Sequence, residues 1–249
     1  MEIFVLKSDE VAAITRGTHG NPHHILGMHQ CLNDCYVNAY LPRATAAFVL
    51  RINEETGEPI FKYPMTEIGS QGFFTVKIED SGAFAYKLIT EGEQAAEFYD
   101  PYSFGYSVDP VNVMKVVNGD DGILSDFHVK DLFGARQITL DGVQGVSFCM
   151  NMPGATRVSV VGDFNGWDGR VNPMRRIDYT DMFELFIPGD LMNTRYKFEA
   201  LYRDGNTDIF ADPYAEVYEV APGNASVLAK LEYSWSDSSY MKKRGSVSG

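Results

Sequence analysis

The chain has 249 residues, and 34 acidic against 21 basic side chains give it a formal charge of −13. That length allows one large domain or two small ones, and 45% hydrophobic with 22% charged residues describes a globular protein rather than a disordered one. The acidity argues against nucleic acid, whose phosphates are held by Lys and Arg, and against an anionic membrane surface.

Three cysteines, with Cys31 and Cys35 close together, make no disulfide framework. The first ten residues lack a basic n-region, and no stretch approaches the ~20 apolar residues of a membrane span. A cytoplasmic protein is expected.

Helical character is expected only over Ser8–Thr15, where Ser8 suits an N-cap and Asp9 and Glu10 a first turn. His19, His23, His24 and His29 follow. Their spacing, with Cys31 and Cys35 nearby, matches no closed ligand pattern, so they are read as turn and capping residues, with no metal and no cofactor.

From there the chain repeats itself. Leu41-Pro42-Arg43-Ala44-Thr45 corresponds to Met152-Pro153-Gly154-Ala155-Thr156, and Phe73-Phe74-Thr75-Val76 to Phe183-Glu184-Leu185-Phe186. Tyr86-Lys87-Leu88 corresponds to Tyr196-Lys197-Phe198, and Asp100-Pro101-Tyr102 to Asp212-Pro213-Tyr214. The offsets are 111, 110, 110 and 112, in the same order. This period is too long for a solenoid repeat and is the size of a small β-domain.

Each copy reads as short β-branched or aromatic strands punctuated by turns such as Pro188-Gly189 and Asp204-Gly205-Asn206. The fold expected is all-β: two tandem immunoglobulin-like β-sandwich domains with a short N-terminal helix. The expected units are residues 1–117, a connector at 118–134, a second sandwich at 135–232, and a Ser-rich tail at 233–249.

The sharpest local feature is Val160-Val161-Gly162-Asp163-Phe164-Asn165-Gly166-Trp167-Asp168-Gly169-Arg170. An indole on a Gly-rich turn after a strand suits a sugar platform, because pyranose C–H faces stack on aromatic rings while nearby polar groups bind hydroxyls. The competing reading buries Trp167 in the sandwich core. Lys197, between Tyr196 and Phe198 in a strand, faces opposite to them. It is either a ligand donor or a solvated strand residue. Asp163 and Asp168 are read as turn-capping residues rather than catalytic ones.

The Gly162–Arg170 block, followed by Asn172-Pro173-Met174-Arg175, resembles the Val-Gly-Asp-Phe-Asn-x-Trp-Asp-Gly-Arg block of glycogen (1,4-α-glucan) branching enzymes. The similarity continues through Glu184–Gly189, Tyr196–Glu199, Asp212–Ala215 and Pro222–Val227, and upstream through Gly17–Met28 and His29. The resemblance implies two N-terminal β-sandwiches, the second a family-48 carbohydrate-binding module, ahead of an α-amylase-type barrel. It also implies an α-1,4-glucan, glycogen or maltooligosaccharide as ligand and the parent enzyme's catalytic barrel as partner.

By the same resemblance Trp167 stacks a glucose ring, Lys197 donates a hydrogen bond, Asn165 belongs to the platform turn and Phe210 is a second aromatic. The stretch Arg51–Thr56 of the first copy carries no equivalent platform. Branching needs two carboxylates on a barrel of roughly 250 residues, so the chain is expected to be non-catalytic, with no catalytic residue to name. The alternative expectation is a sandwich that packs on the barrel and positions it, with little sugar binding of its own.

Overall fold

The computed structural model describes residues 6–31, 33–69, 71–79, 82–93, 95–119 and 132–229. Most of the expected connector and the whole expected tail lie outside these residues.

Helix α1 (Ser8–Thr15) leads into a first set of strands: β1 (Gly27–Cys31), β2 (Asp34–Tyr40), β3 (Ala44–Ile52), β4 (Pro59–Pro64), β5 (Thr66–Ile68), β6 (Phe73–Ile78), β7 (Tyr86–Gly92) and β8 (Ala96–Tyr99). They form two antiparallel sheets, ordered β1-β2-β6-β5 and β4-β3-β7-β8. Alternate residues of β2 (Cys35, Val37, Ala39) meet Val49 of β3 and Tyr86 and Leu88 of β7 between the sheets. Period-2 alternation in the sequence thus becomes a sandwich core.

Helix α2 (Pro110–Val117) precedes the second set: β9 (Gly134–Leu140), β10 (Val143–Asn151), β11 (Ala155–Gly162), β12 (Arg175–Arg176), β13 (Met182–Pro188), β14 (Arg195–Tyr202), β15 (Thr207–Phe210), β16 (Val217–Tyr218) and β17 (Ser226–Val227). One sheet runs β12-β13-β10-β9; in the other, β14 pairs with β11, β15 and β17, and β17 with β16. Phe148, Phe183, Leu185, Val158, Val160, Tyr196 and Phe198 fill the space between. The all-β sandwich expectation holds for both copies.

Helix α2 was not expected, since helical character was assigned to Ser8–Thr15 alone. Its start is well formed: the Asp109 side chain accepts from Val111 N, and Pro110 occupies the first turn, where its missing N–H costs nothing. The Val-rich run after it reads as strand by composition. Packing decides otherwise, because Val113 is buried with Val108, Cys149, Ile177 and Met182 on the outer face of the β10–β13 sheet. Helix α1 does the same for the first sandwich through Ile14, packed with Tyr40 and Phe73. The structural repeat is therefore a helix plus a sandwich.

The two copies are tied together. The Tyr102 hydroxyl donates to the carbonyls of Val171 and Pro173, both at 3.2 Å. Phe104 meets Phe186 edge-on with centroids 4.8 Å apart. The fully buried Glu184 accepts from Ser107 N at 3.0 Å and from the Ser107 hydroxyl, and pairs with Arg175. A buried carboxylate is tolerated where it is paired and hydrogen-bonded in this way. Among the described residues no helix is long and apolar enough to cross a membrane.

Candidate functional site

The Trp167 turn grows out of the end of β11. After Gly162 the chain makes one 3₁₀ turn, Asp163–Asn165, and then two successive left-handed residues, Gly166 (φ 63°) and Trp167 (φ 62°). Glycine enters this region freely, whereas a bulky L-residue is a genuine outlier there, costing on the order of 1–2 kcal/mol. Hydrogen bonds hold it: Trp167 N donates to Gly162 O at 3.0 Å and to Asn165 Oδ1 at 3.2 Å.

Trp167 is 38% exposed, so the core reading does not hold. Its indole N–H donates to Asp163 Oδ1 at 3.2 Å, which fixes the ring to the surface rather than leaving it to rotate. Asn165 is buried, and its side chain is spent on the turn. Its Oδ1 accepts from Gly162 N at 2.9 Å, and its Nδ2 donates to Val160 O and Asn172 Oδ1, both at 2.8 Å. The Asn165 side chain therefore holds the turn that carries Trp167.

Lys197 lies on the outer face of β14, where Arg195, Lys197 and Glu199 alternate with the buried Tyr196, Phe198 and Ala200. Its Nζ donates to Asn224 Oδ1 at 2.5 Å. A polar chain then runs back to the indole. The Glu219 carboxylate accepts from Asn224 N at 3.2 Å and Ala225 N at 3.0 Å, and from Arg195 Nη1 at 3.1 Å. Arg195 in turn donates to Asp163 from Nε at 3.0 Å and Nη2 at 2.9 Å. The Arg195 side chain holds the Asp163 carboxyl below its usual range, and the Ala225 N–H followed by Arg195 does the same for Glu219. Asp168 is likewise lowered by Arg170. These carboxylates stay ionised, which suits acceptors for N–H and O–H donors and not a general acid.

Phe210 is not part of this surface. It pairs with Phe198 across β14 and β15, and directly paired residues share a face. Phe198 is fully buried, and Phe210 packs on it in the core, centroids 6.1 Å apart. The neighbouring Ile209, paired with Glu199 and 55% exposed, takes the outer face instead. One step of register separates the two assignments.

Arg195 and Glu219 were not singled out in the sequence, and Asn224 entered only within the Pro222–Val227 block. The signal for Arg195 was strand alternation, and for Glu219 position in a late loop. In the first copy, Asn53 Oδ1 accepts from Glu55 N and Thr56 N in a tight turn that leads into β4, with no aromatic on it.

The histidines are held locally. His19 Nδ1 accepts from Asn21 N at 3.2 Å, His24 Nε2 contacts Asn21 Nδ2 at 3.1 Å, and His29 Nε2 contacts Leu26 O at 3.1 Å. Among the described residues no group of three or more His, Cys, Asp or Glu is placed to hold a metal ion.

Comparison with known proteins agrees with this architecture. Residues 7–102 match the family described as the alpha-1,4-glucan branching enzyme GlgB, N-terminal domain, and residues 132–215 match carbohydrate-binding module 48 (isoamylase N-terminal domain). A 1,4-alpha-glucan branching enzyme of Paramagnetospirillum magneticum is 35% identical over 239 residues, 95% of this chain and 31% of that one. One of Pseudomonas fluorescens is 37% identical over 240 residues, 94% of this chain and 31% of that one. The chain thus spans about a third of the length of these relatives. Among solved structures, a pullulanase of Paenibacillus barengoltzii in complex with maltohexaose and alpha-cyclodextrin is 28% identical over 36% of this chain and 14% of its own, with a TM-score of 0.30. Over almost its whole described length the chain belongs with the N-terminal region of the 1,4-alpha-glucan branching enzymes, a branching-enzyme N-terminal domain followed by a family-48 carbohydrate-binding module.

Proposed function

We propose that this chain binds α-1,4-glucan on the outer face of its second sandwich, as a non-catalytic module of a branching enzyme. Trp167 is the stacking platform and Lys197 the hydrogen-bond donor; Asn165 shapes the turn, and Phe210 contributes only to the core. The observation that carries this reading is the exposed indole, held on a left-handed turn by its own N–H bond to Asp163. A fixed aromatic face with polar groups on one flank is what a pyranose requires, since pre-organised contacts lose little freedom on binding. The neutral ligand also suits a chain of charge −13, for hydroxyl recognition needs no basic patch.

The non-catalytic reading is supported by the state of Asp163 and Asp168. Each is bound to an arginine and held below its usual pKa range, so neither can hold the proton that a glycosidic leaving group needs. Affinity electrophoresis on glycogen tests the assignment. The parent chain is retarded, Trp167→Ala runs as on a glycogen-free gel, and Lys197→Ala falls between. Full retardation of a folded Trp167→Ala chain refutes the platform.

A further inference from the structure

The Trp167 turn is gripped on both sides by the first sandwich. On one side Arg43, in the turn between β2 and β3, donates from Nη2 to Asn165 O at 3.3 Å. Its guanidinium lies so close over Gly166 that a Cβ there would sit 1.9 Å from Nη2. On the other side Arg170, bidentate to Asp168, stacks over Tyr40 with its guanidinium carbon 5.8 Å from the ring centroid. Its side chain also packs on Gly17, where a Cβ would meet Arg170 Cγ at 2.8 Å. Trp167 stands between these two anchors.

Arg43 also lines an open pocket of about 290 Å³ to which the first sandwich contributes Phe98 and Tyr99 and the second Phe164 and Asn165. A left-handed tryptophan persists only where its surroundings over-determine it. The bonds within the turn supply one part of that constraint, and Arg43 supplies another from a different domain.

We infer that Arg43 is a positioning residue for glucan binding: the first sandwich, which has no platform of its own, sets the Trp167 platform of the second through the Arg43–Asn165–Gly166 contact. The inference rests on the Trp167 reading above. It makes the affinity of the pair depend on how the two sandwiches are docked, and gives the first one a part in recognition without touching sugar.

The test is maltoheptaose titration of the full chain by calorimetry, with Trp167 emission followed in a Trp235→Phe background. Arg43→Met keeps the aliphatic stem and removes the guanidinium. Its affinity is expected to fall about fivefold or more, with a red-shifted Trp167 emission and an unchanged far-ultraviolet dichroism spectrum. Arg43→Lys, which keeps charge but not the planar contact, is expected to recover part of the loss. A merely structural role would lower the melting temperature without moving the emission of the folded protein.

If Trp167→Ala abolishes binding while Arg43→Met binds within twofold of the parent, the inference is overturned and the platform stands. If folded Trp167→Ala binds fully, the platform itself fails and the inference with it. Should Arg43→Met not fold, Arg43→Lys decides alone. Weakened binding with shifted emission supports the inference, and parental affinity with parental emission overturns it.

Discussion

The Tyr196 hydroxyl donates to Asp212 Oδ2 at 2.7 Å, and the Tyr86 hydroxyl makes the same bond to Asp100 Oδ2 at the same distance. Both aspartates also accept from the backbone N–H two residues on, Tyr214 N at 2.8 Å and Tyr102 N at 2.9 Å. The repeat is thus chemical as well as topological. In each sandwich a central-strand tyrosine holds the Asp-Pro-Tyr turn that closes the core. Burial raises both carboxyls, Asp100 to about 6.

Tyr196→Phe keeps the ring in the core and leaves Asp212 Oδ2 with the Ala135 N–H alone. Removing one partner of a buried group costs about 1–3 kcal/mol. The urea midpoint is expected to fall accordingly, and Tyr86→Phe to behave alike in the first sandwich. A parental midpoint in both variants refutes the structural role of the pair.

His23 gives a pH prediction. Its ring lies edge-on to Tyr102 at 5.0 Å, and its Nδ1 is buried without a hydrogen-bond partner. Burial first, then Arg175, His24 and His29, push its pKa from 6.5 down to about 2. The folded chain keeps it neutral while the unfolded chain protonates it, so its contribution is whole above pH 6.5 and is lost as the pH falls toward 2. Asp100 acts oppositely between about pH 6 and 3.8, because there the folded state binds the proton first. Between pH 6.5 and 5 the parent is expected to lose about 1.6 kcal/mol relative to His23→Phe, the slope rising to roughly 1.4 kcal/mol per unit once the unfolded imidazole is protonated. Urea unfolding at those two pH values measures it, and a constant difference contradicts the assignment.

Phe210 separates core from site. Phe210→Ala is expected to cost about 3 kcal/mol of stability or somewhat less, since the ring is only partly buried. Below its melting temperature the variant is expected to bind glucan with parental affinity. Selective loss of binding in a stable Phe210→Ala protein would return the residue to the ligand surface.

Tyr196-Lys197-Phe198 and Asp212-Pro213-Tyr214 announce their partners in the first copy because a buried hydrogen bond tolerates few residue types. Trp167 was legible because Gly162 and Gly166 mark its turn. The sequence leaves open which face Phe210 takes, because a strand's face depends on register, which Asp204-Gly205-Asn206 does not fix. Helix α2 was missed because its valines favour strand by propensity, and only the apolar surface around Cys149 and Ile177 makes them helical. Arg43 is 122 residues from Asn165, and only the docking of two domains brings them together.

The most direct test of the central claim is the structure of the full chain crystallised with maltoheptaose. A glucosyl ring is expected to stack on the Trp167 indole, with Lys197 Nζ within about 3 Å of one of its hydroxyls. Ordered glucan bound elsewhere on the chain, with a solvent-accessible Trp167 face left bare, would contradict it.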